Sequence, residues 1–150
     1  MVDIVTREVR SKMMAGIRNK DTQPEMQVRR FLHSQGLRYR LHSRNLLGKP
    51  DLVFPRHGVV LFVNGCYWHR HRNCRYATNP SSNISFWTSK FEANVRRDRN
   101  ALDALRKTGW RVIVLWECGL RKSSTDEALT WLPGAIRSGR RKFIEWPKVL

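Results

Sequence analysis

Apolar positions fall in short blocks whose spacing changes along the chain. Residues 1–20 are weakly patterned and carry Arg7, Arg10, Lys12, Arg18 and Lys20, so they read as a basic arm. Val28, Phe31 and Leu32 then supply a helical stripe. Thr22 and Glu25 have capping-box spacing ahead of it, Pro24 suits a first turn, and Gly36 is a stop. Residues 37–41 alternate like a strand with one buried face. Two apolar runs, 51–54 and 58–63, flank the turn Pro55-Arg56-His57-Gly58. A hairpin centred between Arg56 and His57 sets Asp51 opposite Phe62, with its carboxylate near the main chain of Phe62 and Val63. Trp87, Phe91, Val95, Leu102 and Leu105 recur at helical spacing over residues 84–107, and Gly109 can end that helix. A strand over 110–116 follows. The strand–helix–strand unit predicts a right-handed crossover and two parallel strands. Cys66 and Cys118 each lie just past the end of one of those strands, so parallel pairing brings them together. A last helix is predicted to start at Ser124, with Glu127 three residues on, and to be bent or broken at Pro133. No internal repeat or low-complexity segment is evident. These elements predict an α/β protein, a mixed sheet flanked by helices, with one domain over 21–150 behind the arm.

Composition narrows the partner. The chain has 150 residues, enough for a single core, and 41% are hydrophobic, so it is not a disordered basic tail. Twenty-nine Lys and Arg stand against 12 Asp and Glu, a formal charge of +17. So large an excess favours a polyanion, where neutralising phosphates releases counterions. Nothing approaches the ~20 apolar residues of a membrane span, no signal-peptide core follows Met1, and the arginines are scattered rather than gathered on one helix face. Nucleic acid in the cytosol is the expected setting, with no membrane partner.

The stretch Asn64-Gly65-Cys66-Tyr67-Trp68-His69-Arg70-His71-Arg72-Asn73-Cys74 concentrates metal-ligand types, large aromatics and cations. Three cysteines cannot all pair internally, and a reducing compartment favours metal ligation. Cys66, His71, Cys74 and Cys118 make a candidate zinc set, closed to solvent and therefore structural. Spacing alone leaves His69 and His71 as alternative imidazole ligands. Asp51, after Gly48-Lys49-Pro50 at the head of an apolar strand, is the candidate ligand for a second, hard cation such as Mg²⁺. A strand-start aspartate bonded to nearby backbone explains the same spacing.

Several segments carry a specific resemblance. They are Ser11-Lys12-Met13-Met14, Gly48-Lys49-Pro50-Asp51, Gly65-Cys66-Tyr67-Trp68-His69, Asn94-Val95-Arg96-Arg97-Asp98, and Gly109-Trp110-Arg111-Val112 followed by Trp116-Glu117-Cys118. In this order and spacing, over about residues 8–130, the chain resembles the very short patch repair endonucleases. The resemblance implies a restriction-endonuclease-like core with a structural zinc. It further implies a Mg²⁺-dependent enzyme that nicks DNA beside T:G mismatches left by deamination of 5-methylcytosine. Carried over by motif, Asp51 binds Mg²⁺ with the carbonyl of Val63, and His69 is the general base, which leaves His71 to the zinc. Glu25 orients water on the metal, although a capping box alone also accounts for it. Asp98 is another carboxylate of the site, or else a helix-surface partner for Arg97 or Arg99.

Tyr67, Trp68 and Trp87 match the aromatic wedge that enters the base stack, and Met14 inserts from the opposite groove. Core packing is the alternative for these aromatics, stronger for Trp87 on its stripe than for Tyr67-Trp68 between zinc ligands. The chain departs from the family at three points. Val63 replaces a common threonine, one extra residue precedes Cys74, and Asn64 stands where histidine is usual. An amide cannot carry charge beside the scissile phosphate, so Asn64 points to weaker catalysis, or to a mismatch-binding module that has lost it. A general zinc-stapled nucleic-acid binder is the other rival. The expected substrate is double-stranded DNA with a T:G mismatch. The resemblance also implies a monomer at the bacterial nucleoid, working alongside other mismatch-repair proteins.

Overall fold

The computed structural model describes residues 21–148, so the basic arm over 1–20, with Met14, lies outside the described residues. The first helix, α1, spans Gln23–Ser34, as the stripe predicts. Thr22 caps it through its hydroxyl, which accepts the Glu25 amide at 3.3 Å. Such a cap stabilises a helix by about 1 kcal/mol. Gly36 follows at φ +84°, a left-handed value that suits glycine.

Five strands form one sheet in chain order: β1 (Arg40–Leu41), β2 (Leu52–Phe54), β3 (Val59–Asn64), β4 (Arg111–Trp116) and β5 (Phe143–Trp146). The first two junctions are antiparallel and the last two parallel. The alternating run at 37–41 is paired only over its last two residues. The hairpin register is the one its turn predicts, with Leu52 opposite Leu61 and therefore Asp51 level with Phe62. The long helix α2 spans Ile84–Lys107 and joins β3 to its parallel neighbour β4. Asn64 lies level with Trp116, so Cys66 and Cys118 sit equally far beyond the paired ends. Cys118 belongs to a 3-10 turn, Glu117–Leu120.

Two differences from the sequence reading concern the C-terminal part. The last helix, predicted to be bent or broken at Pro133, is in two pieces, α3 (Thr125–Ala128) and α4 (Leu132–Ser138), with the break falling before the proline and not at it. Pro133 sits in the first turn of α4, where its missing N–H costs nothing, so it starts a helix rather than bending one. Beyond it, β5 forms on the edge of β4, an element the apolar pattern did not disclose.

Period-two alternation divides the core. Leu52, Phe54, Val59, Leu61, Ile113 and Leu115 pack with Val28, Phe31 and Leu32 of α1 and with Leu132 and Ile136 of α4. Val53, Val60, Val112 and Val114 face the other way, against Leu102 and Leu105 of α2. Both faces of the sheet are covered, which explains why the central strands are apolar at every position but their ends, Asn64 and Arg111. No helix among the described residues is long and apolar enough to cross a membrane.

Candidate active site and metal centre

Strands β3, β4 and β5 run parallel, and the chemistry-bearing side chains gather where their carboxyl ends lie. Asp51 reaches this end from the antiparallel side, just ahead of β2. A left-handed turn, Gly48 at φ +80° and Lys49 at φ +50°, delivers it there. Any Cβ at Gly48 would lie 2.6 Å from Ala101 Cβ on α2, so the loop rests directly on that helix. Asp51 Oδ2 accepts the Val63 amide at 2.7 Å. Burial pushes the Asp51 carboxyl up to about 7; the Val63 amide pulls the other way, and facing Glu25 raises it further. A half-buried carboxylate facing a second, buried one is a donor set suited to a hard divalent cation.

Glu25 is only 1% exposed although it stands in the first turn of α1. Its carboxylate does not return to the Thr22 amide as a reciprocal capping box would. Oε1 accepts the Asp21 amide at 3.2 Å instead, and Oε2 takes His42 Nε2 at 2.8 Å and Arg29 Nη1 at 3.4 Å. The cap is thus supplied by Thr22, and the Glu25 carboxylate faces the site. Arg29 also donates to Asp21 at 2.7 Å. His42 has φ +46°, a conformation that costs a non-glycine residue about 1–3 kcal/mol. Its own amide donates to the Asp51 carbonyl at 3.0 Å, so His42 ties Glu25 to the Asp51 segment. Asp21, Arg29 and His42 were not marked by any spacing in the sequence. Asp21 and Arg29 stand one helical turn before and after Glu25, and His42 joins them from the end of β1.

His69 Nδ1 lies 2.7 Å from Asp98 Oδ2 on α2. With the carboxylate as acceptor, Nδ1 carries the proton and Nε2 is left as the basic nitrogen. Asp98 therefore pairs with the histidine, while Arg97 hydrogen-bonds Asn94. Asn94 in turn donates to the Trp68 carbonyl at 3.3 Å, a second tie between α2 and the loop. Asn64 is the half-buried last residue of β3, two positions before Cys66.

The loop after β3 is folded around Cys66, His71, Cys74 and Cys118, whose ligand atoms all lie within 4.8 Å of one another. Three thiols and one imidazole in a closed cluster can hold a tetrahedral ion. His71 turns Nδ1 toward Cys118 Sγ at 3.5 Å and stacks on Trp116 with ring centroids 4.3 Å apart. Burial lowers the His71 pKa and pushes the Cys66 and Cys118 thiols up. His69, the other imidazole considered from spacing, points to Asp98 and is not part of this cluster.

The same loop presents aromatics. Tyr67 and Trp68 meet edge to face at 5.0 Å, and Trp68 lies 6.2 Å from Trp87 on α2. Phe91 supports them from below, 5.4 Å from Tyr67 and 5.8 Å from Trp87. Phe86 and Ile84, which the helical pattern gave no reason to single out, extend the apolar edge at 61% and 62% exposure.

A mixed five-stranded sheet, with carboxylates and a histidine at its strand ends and a Cys/His cluster beside them, is consistent with the restriction-endonuclease-like class of nucleases. Comparison with known proteins makes that class specific. Residues 2–75 match the family described as DNA mismatch endonuclease Vsr. The chain is 46% identical over 128 residues to the type II nicking enzyme V.XorIIP of Xanthomonas oryzae pv. oryzae, covering 85% of this chain and 93% of that protein. It is 40% identical over 132 residues to the DNA mismatch endonuclease Vsr of Escherichia coli K12, covering 87% and 84%. The type II nicking enzyme V.NmeAIP of Neisseria meningitidis is 42% identical over 124 residues, covering 83% and 88%. The chain belongs to the Vsr family of DNA endonucleases.

Proposed function

We propose that the protein nicks one strand of duplex DNA beside T:G mismatches by Mg²⁺-dependent phosphodiester hydrolysis. The observation that carries this reading is the half-buried Asp51 carboxylate, facing the buried Glu25 and bonded to Val63, beside a histidine oriented by Asp98. Asp51 and the Val63 carbonyl are the residues that would hold Mg²⁺. When bound, the ion neutralises charge on the phosphate under attack.

The chain's own groups supply the rest. His69 Nε2 takes the proton of the attacking water, and Asp98 stabilises the imidazolium that results. Glu25, fixed by His42 and Arg29, orders water beside Asp51. Asn64 offers a hydrogen bond, but no charge, to the developing negative oxygen. Tyr67, Trp68 and Trp87 are the wedge that enters the base stack, with Met14 inserting from the opposite groove. A mismatch is already weakly stacked, so insertion recovers most there. Zinc at Cys66, His71, Cys74 and Cys118 would be structural, because four protein ligands leave no open position. The protein acts as a monomer on the bacterial nucleoid.

A labelled T:G duplex incubated with Mg²⁺, beside a matched control, tests the reading. The mismatched strand is cut and the matched duplex is not. Asp51→Ala abolishes the nick while leaving binding in gel shift largely intact, since it removes a carboxylate and not a phosphate-holding cation. Equal cutting of both duplexes defeats the mismatch assignment. Binding without cutting, under any divalent metal, transfers the conclusion to a mismatch-binding module.

A further inference from the structure

Beside the aromatic wedge, between α2 and the tail of the metal loop, lies a groove of about 450 Å³. Arg70, Phe91, Glu92, Val95, Arg96 and Arg99 are among its lining residues. The three arginines differ in what they are already doing. Arg70 is fully committed: it donates to the carbonyls of Tyr67, Ala77 and Thr78 and to Asn79 Oδ1, and its guanidinium lies 4.2 Å above the Phe91 ring. It builds the wall. Arg96 and Arg99 are exposed, and neither pairs with a described residue, even though Glu92 stands one turn before Arg96.

Spacing places Arg99 beside the face that carries Asp98, with Arg96 one step further round. Positions 91, 94 and 98 face the metal loop, through the Phe91–Tyr67 contact, the Asn94 bond to Trp68 and the Asp98 bond to His69. Arg96 and Arg99 lie three residues apart, with side chains about 5–6 Å apart at Cβ; Arg99 adjoins that face and Arg96 stands further round the helix. Val95 and Phe91 lie to one side of the pair and supply an apolar floor, while Glu92 lies between the two arginines around the helix. Two free guanidiniums beside an apolar floor match a sugar–phosphate strand better than a base edge, because phosphates take the cations and deoxyribose the floor.

We infer that this groove seats the DNA backbone flanking the nick, with Arg96 and Arg99 each holding a phosphate. The inference rests on the DNA reading above, and it adds a sequence-independent anchor distinct from the wedge and from Asp51 and His69. The anchor fixes register along the strand without contributing to mismatch preference.

The test measures affinity of the full chain for labelled T:G and matched duplexes across a salt series, without added Mg²⁺. Each phosphate contact adds about 0.9 to the slope of log affinity against log salt, so R96A/R99A lowers the slope by about 2. The ratio of mismatched to matched affinity stays the same, and R96K/R99K keeps the wild-type slope. Arg140 and Arg141 precede β5, at the opposite ends of the parallel strands, and R140A/R141A makes the same charge change far from the groove. That control leaves the slope unchanged. Both arginines of the groove are exposed, and a circular-dichroism melt verifies that their replacement leaves the fold intact. A wild-type slope in R96A/R99A, or an equal drop in the control, overturns the inference. Failure of the unaltered chain to bind either duplex is a separate result, which removes the DNA reading itself.

Discussion

The resemblance implies a histidine at position 64, where this chain carries Asn64. It ends β3, level with Trp116 and two positions from the cluster ligand Cys66, so backbone and metal loop fix its place whatever side chain it bears. A carboxamide there can donate a hydrogen bond to developing negative charge but cannot bring a proton or a full charge. Asn64→His is therefore expected to raise the single-turnover nicking rate on a T:G duplex. A well-placed contribution of this kind is worth about 3 kcal/mol, or roughly a hundredfold. An unchanged rate in a parent that already cuts would mean the amide is a working substitute. The neighbouring groups show how single residues take two tasks. Glu25 sits at a capping position yet sends its carboxylate into the site, and His42 accepts a left-handed backbone while joining Glu25 to the Asp51 segment.

Among the elements, the Gly48–Lys49 turn and α2 set the position of Asp51 together. Alanine at Gly48 would meet Ala101 Cβ at 2.6 Å and impose a side chain on φ +80°. Gly48→Ala should lift the loop from α2, lowering the melting temperature by the equivalent of about 1–3 kcal/mol and reducing nicking more than DNA binding. A variant that melts and cuts like the parent would show that the loop is free of the helix. The hairpin that makes Asp51 and Val63 neighbours was legible in the sequence because a four-residue turn between two apolar runs admits one register that buries both. The bounds of α2 and the convergence of Cys66 with Cys118 were legible for a similar reason, a long helical period between two apolar strands. Strand β5 was not. It is four residues long, follows the basic run Arg140-Arg141-Lys142, and is stabilised by pairing with β4 and by Trp146 packing over Gly119, where a Cβ would lie 2.5 Å from the ring. Those are contacts between distant parts of the chain, which local periodicity does not encode. His42, 17 residues from Glu25, escaped for the same reason, whereas Asp21 and Arg29 stand at local helical spacing from it.

At the scale of the whole molecule, Tyr67, Trp68 and His69 share one loop with three members of the Cys/His cluster, Cys66, His71 and Cys74. On the proposed zinc assignment, Cys118→Ala is expected to lower the zinc found per chain by elemental analysis. The variant should then lose thermal stability and mismatch preference together, because Tyr67, Trp68 and His69 stand between the ligands Cys66 and His71. A metal-free protein that stays folded and active would break that link. The cluster also joins residues made at different times. During synthesis Cys66, His71 and Cys74 emerge early, and the fourth ligand arrives only after α2 and β4 have been translated. A nascent chain thus has three donors and an unfinished shell until the central sheet can close. The ion can be locked in place only when β4 lies beside β3, so possession of a rigid wedge becomes proof of a finished fold. On the function proposed above, half-made chains would lack the rigid loop that an entry into the base stack requires.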